Sequence, residues 1–389
     1  MTQEVKHVLG ISGGKDSAAL ALYLNHLYSK EELPITYYTC DTGRELDETY
    51  VLISQLETEL QSEIVKYQSE DYKSANEDNP FDFFWRKYGG YLPSQTARWC
   101  TNTMKLAPFE KAIGDTPTIS YVGIRGDEDR EGYISTKSNI QSIFPFRRNI
   151  WSVDVIRKIL NNNLIEELVG YYQEQLEENM LDKAIEILRT PLSPRLKLEK
   201  KLNLLLDLDV IAFNHVVFTW LKTTDYPVGK LDYFPLIDNE EIIKRADVFQ
   251  IIEDSDVDLP SYYLPLEYEV DGEKGKYFRS RSGCFFCFYQ QKIEWVWLLE
   301  QHPHLFKEAM KYEKDGYSWI QGESLEMLSR PERVEGIKRE HLKRMKRKYQ
   351  NLQTKVSWQD DVMGVKKNGE DWLDELLDAE GDGCASCFI

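Results

Sequence analysis

The segment that most constrains this chain is Ser12-Gly13-Gly14-Lys15-Asp16-Ser17, set between an apolar run, His7–Ile11, and a stretch with helical spacing, Ala18–Tyr28. A strand that turns through two glycines straight into a helix presents successive backbone amides to an anion, and the helix N-terminus adds partial positive charge. Gly13 and Gly14 let the backbone approach that anion closely. Ser12 and Ser17 bring hydroxyl donors, and Lys15 brings charge. The loop is shorter than the G-x-x-x-x-G-K-[ST] loop that holds a γ-phosphoryl group for transfer. A glycine-rich turn that only starts a helix is the plain alternative.

The pattern around this loop repeats. A second strand over Ile35–Thr39 ends at Cys40-Asp41-Thr42-Gly43, a helix runs from about Glu48 to Gln61, and a short strand lies near Ile64-Val65. Another strand, Thr118–Ile124, ends at Arg125. Strands alternating with helices predict an α/β fold with a doubly wound, mostly parallel sheet. Ligands bind such sheets outside the carboxyl ends of the strands. The Ser12–Ser17 loop, the Asp41 turn and the Arg125 turn all fall there. Residues 1–149 are read as the nucleotide-binding part and 150–232 as a helical insertion, with Leu164, Ile165, Leu168, Val169, Ile185 and Leu188 at helical spacing. Residues 233–312 return to a compact pattern containing Cys284-Phe285-Phe286-Cys287, and 313–389 form a C-terminal extension.

The formal net charge of −18 argues against nucleic acid covering most of the surface, because phosphates are repelled. A local basic patch remains open: Lys338, Arg339, Lys343, Arg344, Lys346, Arg347 and Lys348 fall on one expected helix, 337–349, which either tracks a phosphate backbone or is a solvated face covered by the acidic stretch from Asp360 to Asp382. No apolar run approaches the ~20 residues of a membrane span. Met1–Lys6 lacks a signal-peptide layout, so a cytoplasmic protein with no membrane contact is expected. The six cysteines are then metal ligands, reactive thiols or buried residues. Cys40, at a strand end, is expected to be buried.

The loop Ser12–Ser17 resembles the signature of the PP-loop ATP pyrophosphatases, enzymes with an adenine nucleotide alpha-hydrolase-like fold. Further segments narrow the resemblance to the phosphoadenosine phosphosulfate reductase family: Asp41-Thr42-Gly43, Gly123-Ile124-Arg125-Gly126-Asp127-Glu128, Arg98-Trp99-Cys100 with Lys105 and Pro108, Phe234-Pro235-Leu236-Ile237-Asp238, and Gly283-Cys284-Phe285-Phe286-Cys287. They cover roughly residues 7–130 and 233–312. The resemblance implies ATP and Mg²⁺ held by Ser12, Gly13, Gly14, Lys15, Asp16, Ser17, Asp41, Thr42, Gly123 and Arg125. Lys15, Asp16, Ser17 and Arg125 would be catalytic. Asp41 would accept from a ribose hydroxyl or hold magnesium, or else cap a turn. Arg125 would meet phosphate, or else pair with Asp127 or Glu128.

The cysteines divide the family. Cys100, Cys284 and Cys287 would supply three ligands to a four-iron four-sulfur cluster with one open iron, the arrangement associated with non-redox sulfur insertion. Alternatives are a zinc site shared by Cys284 and Cys287 with Cys384 and Cys387, or a plain core position. Cys384 and Cys387 would otherwise relay sulfur. The terminal glutamate–cysteine–glycine–x–histidine motif of the true reductases is absent from this sequence, and Trp99 stands where a cysteine pair would begin. The overall pattern most resembles the ATP pyrophosphatase subunit of bacterial DNA phosphorothioation systems, which belong to phage-defence and restriction loci. That implies a cysteine desulfurase and other subunits as partners. A thioredoxin-coupled reductase of adenylyl sulfates and a transfer-RNA thiolation enzyme are the alternatives.

Overall fold

β1 (Lys6–Gly10) is buried at every position except Lys6, as a central parallel strand covered by helices must be. The computed structural model describes residues 4–360 except 76–78, 129–134, 136 and 315. Within them β1, β2 (Ile35–Thr39), β3 (Ile64–Lys66), β4 (Thr118–Tyr121) and β5 (Ile140–Ile143) form one sheet in the order β3-β2-β1-β4-β5. All its pairings are parallel, with His7 opposite Ile35 on one side and Ile119 on the other. The expected α/β doubly wound fold is therefore present. The chain winds outward from β1 to β3 and then crosses back to β4, so the switch point lies between β1 and β4.

Helix α1 (Lys15–Leu27) buries an unbroken run from Ser17 to Leu24. Its alanines at 18, 19 and 21 bring it close to the sheet and to the later helix Arg245–Glu253. It begins at Lys15, inside the glycine loop, rather than at Ala18, because Gly14 takes the extended N-cap position. Helix α2 (Asp47–Glu59) follows β2. The strand expected over Thr118–Ile124 leaves the sheet at Tyr121. Neither β5 nor the antiparallel hairpin of β6 (Leu266–Val270) and β7 (Glu273–Tyr277) was marked by a sequence pattern.

Between 153 and 221 the chain forms five α-helices, Val153–Ile159, Ile165–Gln175, Glu178–Arg189, Leu198–Leu208 and Val210–Leu221. Leu168, Leu188, Leu205 and Val217 join Leu9 and Ile143 in one continuous core. Lys201, 1% exposed, donates its ammonium protons to the carbonyls of Leu188 (2.7 Å) and Thr190 (2.9 Å), satisfying the open end of the helix before it. Among the described residues no single helix is long and apolar enough to cross a membrane.

A second core is aromatic and joins the C-terminal part to residues 81–104. Phe286 packs on Phe81 (ring centres 4.5 Å apart) and stacks on Trp319 (4.8 Å). The basic segment lies in a helix, Pro331–Asp360. Lys338 pairs with Glu300 (2.6 Å), Arg339 with Asp271, and Lys346 with Glu273 (2.7 Å), so acidic residues of the hairpin and its neighbour cover much of its charge. The acidic stretch after Asp360 lies outside the described residues.

Candidate active site

At the carboxyl end of β1 the loop closes on itself. The Ser12 amide donates to Ser17 Oγ (3.2 Å), and the two hydroxyls meet at 3.1 Å. Ser17 Oγ lies 3.1 Å from the Gly14 carbonyl, which also accepts from the Ala18 amide at 3.1 Å. Gly13 has φ +70°, and a β-carbon there would sit 2.2 Å from Thr49 Cγ2. Gly123, just past β4, abuts the start of α1: a β-carbon would lie 2.7 Å from the Asp16 carbonyl oxygen. The first and fourth strands thus bring Ser12–Ser17, Gly123 and Arg125 into one place.

The charges at this junction are arranged around Asp16. Lys15 Nζ lies 2.7 Å from its carboxylate and Arg125 Nη1 2.7 Å from the other oxygen. Arg125 also holds Asp127 (2.9 Å) and Glu128 (2.8 Å). Both cations are almost wholly buried. Burial works against the Asp16 charge, but Lys15 and Arg125 outweigh it and hold the carboxyl down at about 2. Burial lowers Lys15, opposed chiefly by Asp16. Burial likewise disfavours the Arg125 charge, and Asp16, Glu128 and Asp127 more than restore it. Arg245 adds its field to Lys15, and its backbone amide donates to Asp127 (3.3 Å). Lys15 and Arg125 therefore share one carboxylate, and any anion entering here must compete with Asp16 for them.

Asp41 and Thr42 lie at the end of β2, one strand away. Asp41 accepts from the Gly43 amide (2.7 Å), Tyr50 OH (2.9 Å) and Lys66 Nζ (3.1 Å). Burial opposes its charge, but Gly43, Glu45 and Lys66 hold the carboxyl below its usual value. Burial, and then Asp41, push the Glu45 carboxyl above its usual value. Thr42 Oγ1 donates to Glu45 Oε1 (2.7 Å) and lies 3.0 Å from Cys284 Sγ.

Cys284 reaches this point through backbone pairing of Glu45 with Cys284 and a hydrogen bond from the Phe285 amide to the Arg44 carbonyl (2.8 Å). Phe285 and Phe286 enter the core, while Cys284 and Cys287 are only partly buried. The phenylalanines are core residues, and Cys284 packs against that core from its edge. Burial, Glu45 and Cys287 push the Cys284 thiol well up; burial and Cys287 push Cys100 up to about 12. Cys100 precedes a wide turn, Asn102–Leu106, in which Lys105 acts electrostatically on Cys100, Cys284 and Glu45. Among the described residues no three His, Cys, Asp or Glu side chains are disposed to hold a metal ion. The three-cysteine iron–sulfur cluster expected at Cys100, Cys284 and Cys287 finds no support in this arrangement, although Cys287 acts electrostatically on both of the other thiols. Cys384 and Cys387, as zinc ligands or relay, lie outside the described residues. Cys40 is buried as expected, its thiol raised to about 12 by burial.

Several residues at the site come from segments with no motif. Tyr262 OH donates to the Gly13 carbonyl (3.3 Å), Tyr263 OH accepts from the Lys15 amide (3.3 Å), and Ser282 Oγ donates to the Ser12 carbonyl (3.4 Å). They form a roof over the loop. One of the amides expected to face an anion is thereby occupied by Tyr263. Glu45 stands four residues after Asp41, a spacing the sequence displays without revealing its coupling. Arg245 opens an ordinary-looking helix.

Residues 6–164 match the family model described as phosphoadenosine phosphosulfate reductase domain. An uncharacterised protein of Methanocaldococcus jannaschii is 27% identical over 175 residues, covering 41% of this chain and 33% of that protein. The match thus spans about a third of the relative's length. No solved structure matches the chain. The residues that match, 6–164, are those that carry the parallel sheet and the glycine loop, and over them the chain is similar to the phosphoadenosine phosphosulfate reductase domain.

Proposed function

We propose that the chain is an ATP pyrophosphatase that activates a nucleic-acid acceptor for sulfur incorporation. The observation that carries this reading is the junction of β1, α1 and β4. There a glycine loop opens a helix at the switch point of a parallel sheet, with Lys15 and Arg125 gathered beside it. ATP laid along this edge places its β- and γ-phosphates at the loop. An acceptor oxygen attacks the α-phosphorus, the bond to pyrophosphate breaks, and AMP stays on the acceptor. A sulfur nucleophile then displaces AMP. Exchange of Asp16 for phosphate oxygens lets Lys15 and Arg125 stabilise the leaving charge. Magnesium, which takes one or two carboxylates besides phosphate oxygens, would find Asp16 and Asp41 ionised at these strand ends.

The acceptor in this reading is the DNA backbone, in a phage-defence modification system, with sulfur delivered by a cysteine desulfurase among other subunits. Cys384 and Cys387 are proposed to relay it; replacing both by Ser then stops sulfur transfer and spares ATP cleavage. The matched domain's description supports a second reading, thioredoxin-coupled reduction of an adenylyl sulfate at the same loop. One experiment separates the two. The protein is given ATP and magnesium and scored for pyrophosphate, then phosphosulfate and thioredoxin and scored for sulfite. Pyrophosphate with AMP supports the first reading; sulfite without pyrophosphate rejects it. Transfer RNA in place of DNA as the thiolated product would correct the acceptor.

A further inference from the structure

Beside the loop, two guanidinium groups share one aromatic ring. Arg98 lies 5.3 Å and Arg281 5.7 Å from the centre of Tyr289. Arg281 immediately precedes Ser282, whose hydroxyl touches the loop carbonyl of Ser12. In the other direction the contacts run outward. Trp99, next to Arg98, packs under Tyr88 (ring centres 5.2 Å apart) and donates its indole proton to the Tyr91 carbonyl (3.2 Å). Tyr91 in turn packs against Tyr317 at 4.6 Å. Tyr88, Tyr91 and Tyr317 are 42%, 53% and 43% exposed, large aromatic rings left at the surface.

We propose that this run is a track for a single-stranded nucleic acid, leading from the exposed tyrosines past the Arg98–Tyr289–Arg281 stack to the phosphate loop. It rests on the reading of the site as one that activates a nucleic-acid acceptor, and it says where that acceptor lies. Cations interleaved with exposed aromatic rings hold a strand by its phosphates and by base stacking, without reading sequence. On a chain of net charge −18 such a strand needs a local site. The helix Pro331–Asp360 is the poorer candidate, because Lys338, Arg339 and Lys346 already hold carboxylates. Arg98 is exposed, and among the described residues its guanidinium has no carboxylate partner; its Nε proton goes to the Gln95 carbonyl (3.1 Å).

The test is fluorescence anisotropy of the full chain with labelled single-stranded DNA and RNA oligonucleotides at low salt. Arg98→Glu and the pair Tyr91→Ala with Tyr317→Ala are each expected to weaken binding about tenfold or more, the scale of one lost stacked base or phosphate contact. Lys343→Glu with Arg347→Glu, on the long helix, is expected to change it less than about threefold. The altered side chains are exposed, and circular dichroism melts check that each variant remains folded. A stronger effect on DNA than on RNA, or the reverse, names the strand. Absence of oligonucleotide binding by the parent, or equal binding by parent and track variants, overturns the proposal. Pyrophosphate release by the parent is scored separately. Its absence alongside track-dependent binding refutes the ATP reading and leaves the track standing.

Discussion

Replacing Asp16 by Asn tests the charge arrangement at the heart of the site. Lys15 is 3% exposed at its side chain and Asp16 13%, and Asp16 is the carboxylate that Lys15 grips. Removing one partner of a buried pair costs about 3–5 kcal/mol, because the other charge is left without compensation. Arg125 keeps Asp127 and Glu128, so the loss falls mainly on Lys15. Asp16→Asn is therefore expected to lose about 3 kcal/mol in urea unfolding followed by tryptophan fluorescence. The double variant Lys15→Met with Asp16→Asn should recover at least about 2 kcal/mol of that, since removing both charges removes the conflict. ATP should stabilise Asp16→Asn more than the parent, its phosphates replacing the missing carboxylate. A single variant within about 0.5 kcal/mol of the parent, or a double as unstable as the single, refutes the reasoning.

Three further outcomes follow from the same geometry. Gly13→Ala and Gly123→Ala should each lower pyrophosphate release more than about tenfold, because their β-carbons would meet Thr49 and the Asp16 carbonyl; parental rates in either would contradict the close approach. Tyr263→Phe frees the Lys15 amide and should lower the KM for ATP, whereas a raised KM would mean that the hydroxyl itself contacts nucleotide. Burial holds His7 and His341 neutral in the folded chain down to about 4, below the ordinary value of 6.5. Unfolding therefore takes up protons in between, so the stability they contribute is complete above about 6.5 and falls as pH drops toward 4. His341→Gln should flatten that slope in melts taken across the window; an unchanged slope would refute it.

Much of the sheet was legible because central parallel strands and amphipathic helices carry strong, local patterns. His7–Ile11 and Ile35–Thr39 were found within a residue of their true bounds. β5, with Gln141 and Ser142 buried in it, has no apolar run to announce it. The loop and the Arg125 turn were legible as types of residue in the right order. Their electrostatics were not: that Lys15 and Arg125 would face the same carboxylate depends on how β1 and β4 lie side by side. The iron–sulfur expectation came from the family resemblance of the cysteine segments, and such a resemblance does not say what else surrounds the sulfurs. In the fold, Cys284 is drawn toward Thr42 and Glu45 by the backbone pairing of residues 44 and 45 with 284 and 285. Tyr262 and Tyr263 belong to no motif, since their task arises only after distant segments meet.

The tyrosine roof has a temporal side. Tyr262 and Gly13 are separated by 249 positions, and Ser282 and Ser12 by 270. During synthesis the glycine loop leaves the ribosome long before its cover exists. Contacts of such separation form late, after the entropy of a long intervening chain has been overcome. A nascent chain halted before residue 262 would have the five strands of its parallel sheet but an uncapped loop, so the site at the loop becomes complete only after most of the polypeptide has emerged.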